Sequence, residues 1–535
     1  MVDLTQGLFR RETVPDRVID AYISGHGVNF WLYKAHCPLS ADPLSAENGL
    51  VLGTGIFCGT PIPGSSQLFV TTKYPLTKGF ATGAAGGHFC IMMKTSGYDY
   101  VVITGASPHP VYLILDQKNP QLLDASDLWG KDSFDTVDVL RERHDPCSVI
   151  PISQAGEKLV KVTVTAMDKL GTVGAAGLPA VMGFKKLKAM VATRGELGVE
   201  PVEGRSLLRQ VDEMVKTVLA YRLRDPLVQE GAIGATAGWR GSGGGFQGLD
   251  IIDQIRELHK IGRKTLACPT CPIADKESIC LTEGAYAGLK TYMTAFMGLR
   301  EDCGGKDAEE MLGREVKIWD VLNRLGLDRH NVTDMVKLMG ELVEKNLIDE
   351  RYTEGIDFSG GFQSRLDLLE MIAHRRGIGD LLAEGADAAL ERMGVDAAAV
   401  NPSIKGYQCV MDPRRNAMGT MEFEMLVNPR GGVCAMGAVG SPSYNPKRPV
   451  EQYIRQSKRI GVTEEARKRI FSEDGFNVPR LLKHAEDWFS LHNVLGICHR
   501  LYISRFQSIE RIAAFYQALT GERKTEKELM LAAEK

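Results

Sequence analysis

The chain lacks any long basic run. Its 64 Lys and Arg against 67 Asp and Glu leave a formal charge of −3, which offers no electrostatic footprint for nucleic acid. No apolar run approaches the length needed to span a bilayer. The opening residues, Met1-Val-Asp-Leu-Thr-Gln-Gly7, hold no basic segment followed by an apolar one, so no secretory leader is expected. Tandem repeats and low-complexity segments are absent too. Cysteine numbers only 11, an odd count with scattered spacing. That excludes a disulfide framework and reads as thiols or metal ligands of a cytoplasmic protein.

What remains is ordinary globular composition, with 44% hydrophobic and 24% charged residues over 535 positions, enough for two or three domains. The first ~200 residues read as β-rich, in short runs broken by Gly and Pro. Gln67–Thr72 and Lys158–Thr165 alternate, Tyr98–Thr104 ends at Gly105, and Val111–Leu115 is apolar throughout. After Gly204 the period changes: Leu207, Leu208, Val211, Val215, Val218 and Leu219 follow helical spacing. A Gly-rich stretch, Gly238–Gly245, comes next, and the remainder reads mostly as helix. Ile503, Phe506, Ile509, Ile512, Phe515 and Leu519 mark a late amphipathic helix that Gly521 can end. The expected fold is α+β: a β-rich domain over 1–204, then mostly helical domains over 205–400 and 401–535.

Four cysteines, Cys37, Cys58, Cys90 and Cys147, sit among apolar residues and read as core. Three others carry chemistry. Cys268-Pro-Thr-Cys271 supplies a thiolate pair at metal-ligand spacing, and Cys498 in Leu-Gly-Ile-Cys-His offers a distant third. Four residues after Cys271, where a fourth thiolate would be expected, stands Asp275. A carboxylate can ligate iron as a hard donor, although a sulfide-rich cluster prefers thiolates; Cys280 is the alternative fourth ligand. A zinc site is disfavoured because no second Cys/His pair lies at zinc-finger spacing.

Collinear motifs then point to a family. They include Asp3-Leu-Thr-x-Gly7, Asp42-Pro-Leu-Ser-Ala-Glu-Asn48, Lys73-Tyr-Pro-Leu-Thr77, Ser96-Gly-Tyr-Asp99, Leu128-Trp-Gly-Lys-Asp132 and Ala180-Val-Met-Gly-x-Lys-x-Leu-Lys-Ala189. Cys268-x-x-Cys-Pro-Ile273, Gly377-Ile-Gly-Asp-Leu-Leu-Ala-Glu-Gly385 and Leu495-Gly-Ile-Cys498 continue the series. Over essentially its whole length the chain resembles the tungsten-containing aldehyde ferredoxin oxidoreductases, as a divergent member. The resemblance implies low-potential two-electron chemistry on an aldehyde or oxo group at a tungstopterin or molybdopterin centre. A neighbouring [4Fe–4S] cluster and a ferredoxin-like acceptor are implied with it. It also implies cluster ligation by Cys268, Cys271, Cys498 and Asp275. Cofactor contacts are implied at Gly86, Asn323, Leu327, Asp328, Arg430, Asn493 and Ile497.

The chain departs from the family pattern at the pterin. Gln67 stands where the family has an arginine, Ala84 where it has an asparagine, and Gly171–Gly177 lacks two further arginines. Arginine forks are natural phosphate ligands. Two Asp-x-x-Gly-Leu motifs begin instead with Asn323 and Asn493. The expected acid–base Glu and His are missing from the stretches ending at Tyr292 and Cys434-Ala435, leaving Tyr292, Cys434 and His492 as catalytic candidates. Two readings follow. One is an oxidoreductase with a remodelled pocket. The other is a non-catalytic homologue that has lost the pterin and serves as a structural or electron-wiring subunit beside a catalytic partner, in a homo- or hetero-oligomer.

Overall fold

A computed structural model describes residues 1–222, 224–225, 228–229, 262–294, 308–353, 355–356, 358, 361–409, 420–428, 430–432, 450–472, 475–499 and 501–535. Gly238–Gly245 and Cys434 lie outside the described residues.

The N-terminal part is built on two sheets. The first has the order Leu8–Phe9, Val2–Asp3, Tyr100–Thr104, Leu50–Thr54, Gln67–Lys73, Phe80–Gly86. Its β-branched and aromatic residues suit a pleat buried on both faces, and Leu50, Val51, Leu52, Leu68, Phe69 and Val70 are fully buried. The last two strands pair with Gln67 directly opposite Gly86. The second sheet runs Gln121–Asp124, Val111–Leu115, Leu187–Thr193, Cys147–Pro151. A small hairpin, Thr165–Met167 with Gly171–Val173, packs against Phe80–Gly86.

Two large apolar clusters fasten the helices to this base. One joins both sheets to Ala308–Leu325, Arg329–Glu344 and Phe362–His374. The other joins Phe57 and Ile62 to Gly204–Leu219, Val478–Leu495 and Ile509–Thr520. Val478–Leu495 is the central helix. Asn477 caps it by accepting the Arg480 N–H at 3.1 Å, and Pro479 fits its first turn, where no N–H is needed. Its inner face buries Trp488, Phe489 and Leu491, each contributing about 1.5–3 kcal/mol of apolar burial. Gly496, at φ +87°, ends it in a left-handed cap.

The mixed α+β architecture, sheets first and helices after, is as the sequence indicates. Two local expectations fail. Lys158–Thr165 is not a strand. Its alternation instead inserts Val160 and Val162 between elements, and its backbone bonds to Ala383, Gly326 and Leu327 of the helical part. The mostly helical remainder also holds a three-stranded antiparallel sheet, Arg263–Leu266, Lys276–Cys280 and Lys290–Thr294. Short polar strands of this kind carry little propensity signal. The late helix is broken: Leu501–Ser504 stops, and Ser508 caps a new start at Ile509 by accepting from Arg511 N–H.

Candidate metal centre

The Cys268–Cys271 loop is a tight turn between two strands of the small sheet. The Cys271 N–H donates to the Cys268 carbonyl at 3.1 Å, and Thr270 and Ala274 take positive φ of 62° and 55°. Left-handed backbone at two non-glycine residues costs on the order of 1 kcal/mol each and is retained where the surroundings fix it.

Gly64 joins this loop to the far end of the chain. Its N–H donates to the Thr270 carbonyl at 3.1 Å, and its own carbonyl accepts from the Cys498 N–H at 2.8 Å. Its φ of +79° and the Ile503 side chain 3.1 Å from where a Cβ would sit suit only glycine. Cys498 is further fixed by the capped end of the central helix. There the Gly496 carbonyl accepts from Gln67 N–H, and the Leu495 carbonyl accepts from Phe57 N–H.

The result is a cavity of about 260 Å³ whose walls include Cys268, Cys271, Asp275, Cys498, Gly86 and Arg430. The four expected metal donors thus share one cavity with two of the expected cofactor residues. They stand around its walls rather than at a point. Among the described residues no three His, Cys, Asp or Glu groups converge closely enough to hold a single ion. Thiolates spread around a cavity suit a multi-iron cluster better than one zinc. Burial, then the carboxylate of Asp275, pushes the Cys271 thiol up to about 11, so metal entry must displace its proton. Cys280 does not line the cavity; four residues beyond Lys276 on one strand, it lies about 13 Å further along.

The other cofactor candidates are placed apart. Asn323 donates from Nδ2 to the Tyr292 carbonyl at 2.9 Å. Leu327 bridges to Thr163, the neighbour of Val164 on the cavity wall. The Asp328 carboxylate accepts from Asn331 at 2.8 Å and Tyr407 at 2.9 Å, so protein donors already serve it. Asn493 and Ile497 are buried in the central helix and the turn after it. Tyr292 faces Phe134 and Lys169, away from the cavity. His492 is fully buried, its Nδ1 2.8 Å from the Trp488 carbonyl, and burial pushes it down to about 3. A group so placed is neutral and structural rather than a proton shuttle.

Sequence reasoning missed Gly64 and Lys276. Lys276 is 5% exposed, lines the cavity, and donates from Nζ to the Gly86 carbonyl at 2.6 Å. Its only sequence signal was adjacency to Asp275. Nothing local marks Gly64 as a node between residues 270 and 498.

The cavity residues fit an iron–sulfur cluster. The glycine floor does not fit pterin phosphates as it stands. A Cβ at Gly83 would lie 3.1 Å from the Gly174 nitrogen, and one at Gly171 would lie 2.8 Å from the Gly86 oxygen. These glycines serve close approach of two backbones on one side and line the cavity on the other, where Gln67 and Ala84 offer no arginine fork for a phosphate.

This site and fold define a class, proteins with a sheet base and helices that bring cysteines distant in sequence to one cavity. Residues 1–194 match the family described as aldehyde ferredoxin oxidoreductase, N-terminal domain, and residues 226–535 match its domains 2 and 3. The chain belongs to the aldehyde ferredoxin oxidoreductase family. It is 26% identical over 418 residues to the tungsten-containing aldehyde ferredoxin oxidoreductase of Pyrococcus abyssi, covering 73% of this chain and 66% of that protein. The chain therefore spans about two thirds of that relative. The WOR-like subunit of an aliphatic sulfonate oxidoreductase from Pyrococcus furiosus is 24% identical over 480 residues, covering 81% of this chain and 73% of that subunit. The fold also matches the active site complex BamBC of benzoyl coenzyme A reductase with 1,5-dienoyl-CoA. There the TM-score is 0.80 and the identity 23%, over 99% of this chain and 86% of that chain. At that identity the likeness concerns the fold alone. No described helix is long and apolar enough to cross a membrane.

Proposed function

We propose that the chain is an oxidoreductase of low-potential electron chemistry, with a [4Fe–4S] cluster held by Cys268, Cys271, Cys498 and Asp275. The observation that carries this reading is the single cavity lined by all four donors. A cluster there passes electrons one at a time, and its potential follows ligand charge and burial. The chain's own part is to bring the donors together through Gly64, to exclude water with Ile273 and Ile503, and to supply charge to the cavity wall. A ferredoxin or another iron–sulfur protein is the acceptor that suits such a centre, in the cytoplasm.

The tungsten of the Pyrococcus abyssi relative suggests a tungstopterin or molybdopterin centre beside the cluster, which when bound would supply two-electron oxidation of an aldehyde or oxo group. The tight contacts at Gly83, Gly86 and Gly171 favour a second reading, in which the chain is an electron-wiring subunit without pterin, paired with a catalytic partner. The named relative that is itself a subunit lends this some weight. Elemental analysis of oxygen-free protein separates them. Iron and sulfide with near-stoichiometric W or Mo supports the catalytic reading, and iron and sulfide alone support the wiring subunit. Protein without iron overturns both.

A further inference from the structure

The cavity carries a buried cation, Lys276, and a half-buried one, Arg430, that the cysteines alone do not explain. Lys276 is 5% exposed, and among the described residues its ammonium forms no ion pair; its hydrogen-bond partner is the Gly86 carbonyl at 2.6 Å. Arg430 lines the same cavity. Its guanidinium lies 5.6 Å from the centre of the Tyr74 ring, and its buried Nε has no hydrogen-bond partner among the described residues. A buried charge without a counter-charge costs several kcal/mol. The buried ammonium of Lys276, with the half-buried Arg430 on the same cavity, calls for an anionic occupant.

The position of Lys276 says which anion. Gly86 sits between the ammonium and a cysteine sulfur: its carbonyl accepts a hydrogen bond from Lys276 Nζ, and a Cβ built on it would lie 2.9 Å from Cys268 Sγ. On its other side that Cβ would lie 2.8 Å from Gln67 Nε2, the neutral side chain paired opposite Gly86 on the neighbouring strand. The floor of the cavity therefore has a neutral amide from residue 67 and draws its positive charge from residue 276. A four-iron cluster with four anionic protein ligands carries about two negative charges when oxidised and one more when reduced. Lys276 and Arg430 balance the oxidised form, and the added electron makes the nearby ammonium more valuable still.

We propose that Lys276 is the positioning cation of this centre, holding the cluster's reduction potential up by its charge beside Cys268, with Arg430 completing the balance. The inference rests on the cluster reading above and adds a residue that the cysteine motif does not contain.

The test is a redox titration of the cluster by electron paramagnetic resonance, with iron counted in the same samples. It compares wild type, Lys276→Gln and Lys276→Arg, all purified without oxygen. The Gln variant keeps a donor for Gly86 and loses the charge; the Arg variant keeps both. The expected result is a more negative potential in Lys276→Gln, with wild-type behaviour restored in Lys276→Arg. Iron loss in the Gln variant alone would support the same charge requirement. Wild-type potential in a Gln variant that retains its iron overturns the inference and leaves the cluster reading standing. Iron loss from both variants also overturns it, because shape rather than charge would then be decisive. A wild-type protein without iron overturns the inference together with the cluster reading.

Discussion

Gly55→Ala should damage the fold and the metal centre together. Gly55 follows the strand Leu50–Thr54 and passes beneath the end of the central helix. A Cβ there would lie 2.1 Å from the Gly496 nitrogen, 2.2 Å from the Leu495 carbonyl carbon and 2.3 Å from the Gly496 Cα. Carbon contacts relax only near about 3.5 Å, so the two backbones must part by more than about 1 Å. Overpacking a side chain costs typically 1–3 kcal/mol. Here every obstructing atom is backbone, and the segment pushed away is anchored by the Phe57–Leu495 and Gln67–Gly496 hydrogen bonds. We expect a loss of roughly 3–5 kcal/mol. Cys498, two residues beyond Gly496, should move with it. Urea denaturation gives the stability, and iron per chain gives the second effect. Gly198→Ala is the control: it is exposed, with nothing within 4 Å of its Cβ position, and should stay within about 0.5 kcal/mol of wild type. A Gly55→Ala protein within 1 kcal/mol of wild type, or one that holds full iron, would refute the close approach and its link to Cys498.

Cys268→Ala and Cys498→Ala should each abolish the cluster's visible absorbance, and unchanged absorbance in either would remove that residue from the ligand set. Asp275→Cys should keep the cluster and make its iron harder to lose in air, whereas Asp275→Ala should drop the iron count by about one per chain. Equal iron retention in all three forms would show that Asp275 is no ligand. Stability should fall on acidification, because burial pushes His492 down to about 3 and His26 down to about 4. Both are neutral when folded and charge near 6.5 when unfolded, so their contribution is complete above that pH and declines below it, by roughly 2 kcal/mol per histidine between pH 6.5 and 5. His492→Gln should reduce that slope by about half; a profile flat from pH 7 to 5 would contradict the burial argument.

The fold was legible where periodicity coincided with burial. Val111–Leu115 is a strand as written, and Gly204–Leu219 is a helix whose Leu207, Met214 and Val218 face the core. Lys158–Thr165 misled because alternation reports which side chains are buried, not which backbone they bond, and its partners were the helical segments. At the site, local chemistry was readable. The thiol spacing picked out Cys268, Cys271 and Cys498, which do share one cavity. Tyr292 and His492 were proposed for what their side chains can do, and position decides against both. One faces Phe134, and the other is sealed among Trp488 and Phe489. Gly64 and Lys276 act through residues some 200 to 430 positions away or through a carbonyl on another strand, and no local pattern encodes such a meeting.

Because the cavity wall is drawn from residues near 64–86, 171–175, 268–276, 430 and 498–503, its donors meet only when the whole chain has folded. Small metal modules solve this by folding on the metal, and their apo forms are unfolded. Here contacts that involve no iron join the pieces. Gly64 bonds both thiolate loops, and two large apolar clusters fasten the helices to the sheets. The chain should therefore fold first and receive its cluster second, with the cluster adding stability by binding only the folded state. Stripping iron with a chelator at neutral pH should leave far-ultraviolet circular dichroism and a cooperative urea transition in place while moving its midpoint lower. Reconstitution with iron and sulfide should then move the midpoint back without a lag for refolding. An apo chain that loses its secondary structure on chelation would mean that the iron, and not Gly64 with the apolar clusters, holds the two ends of the sequence together.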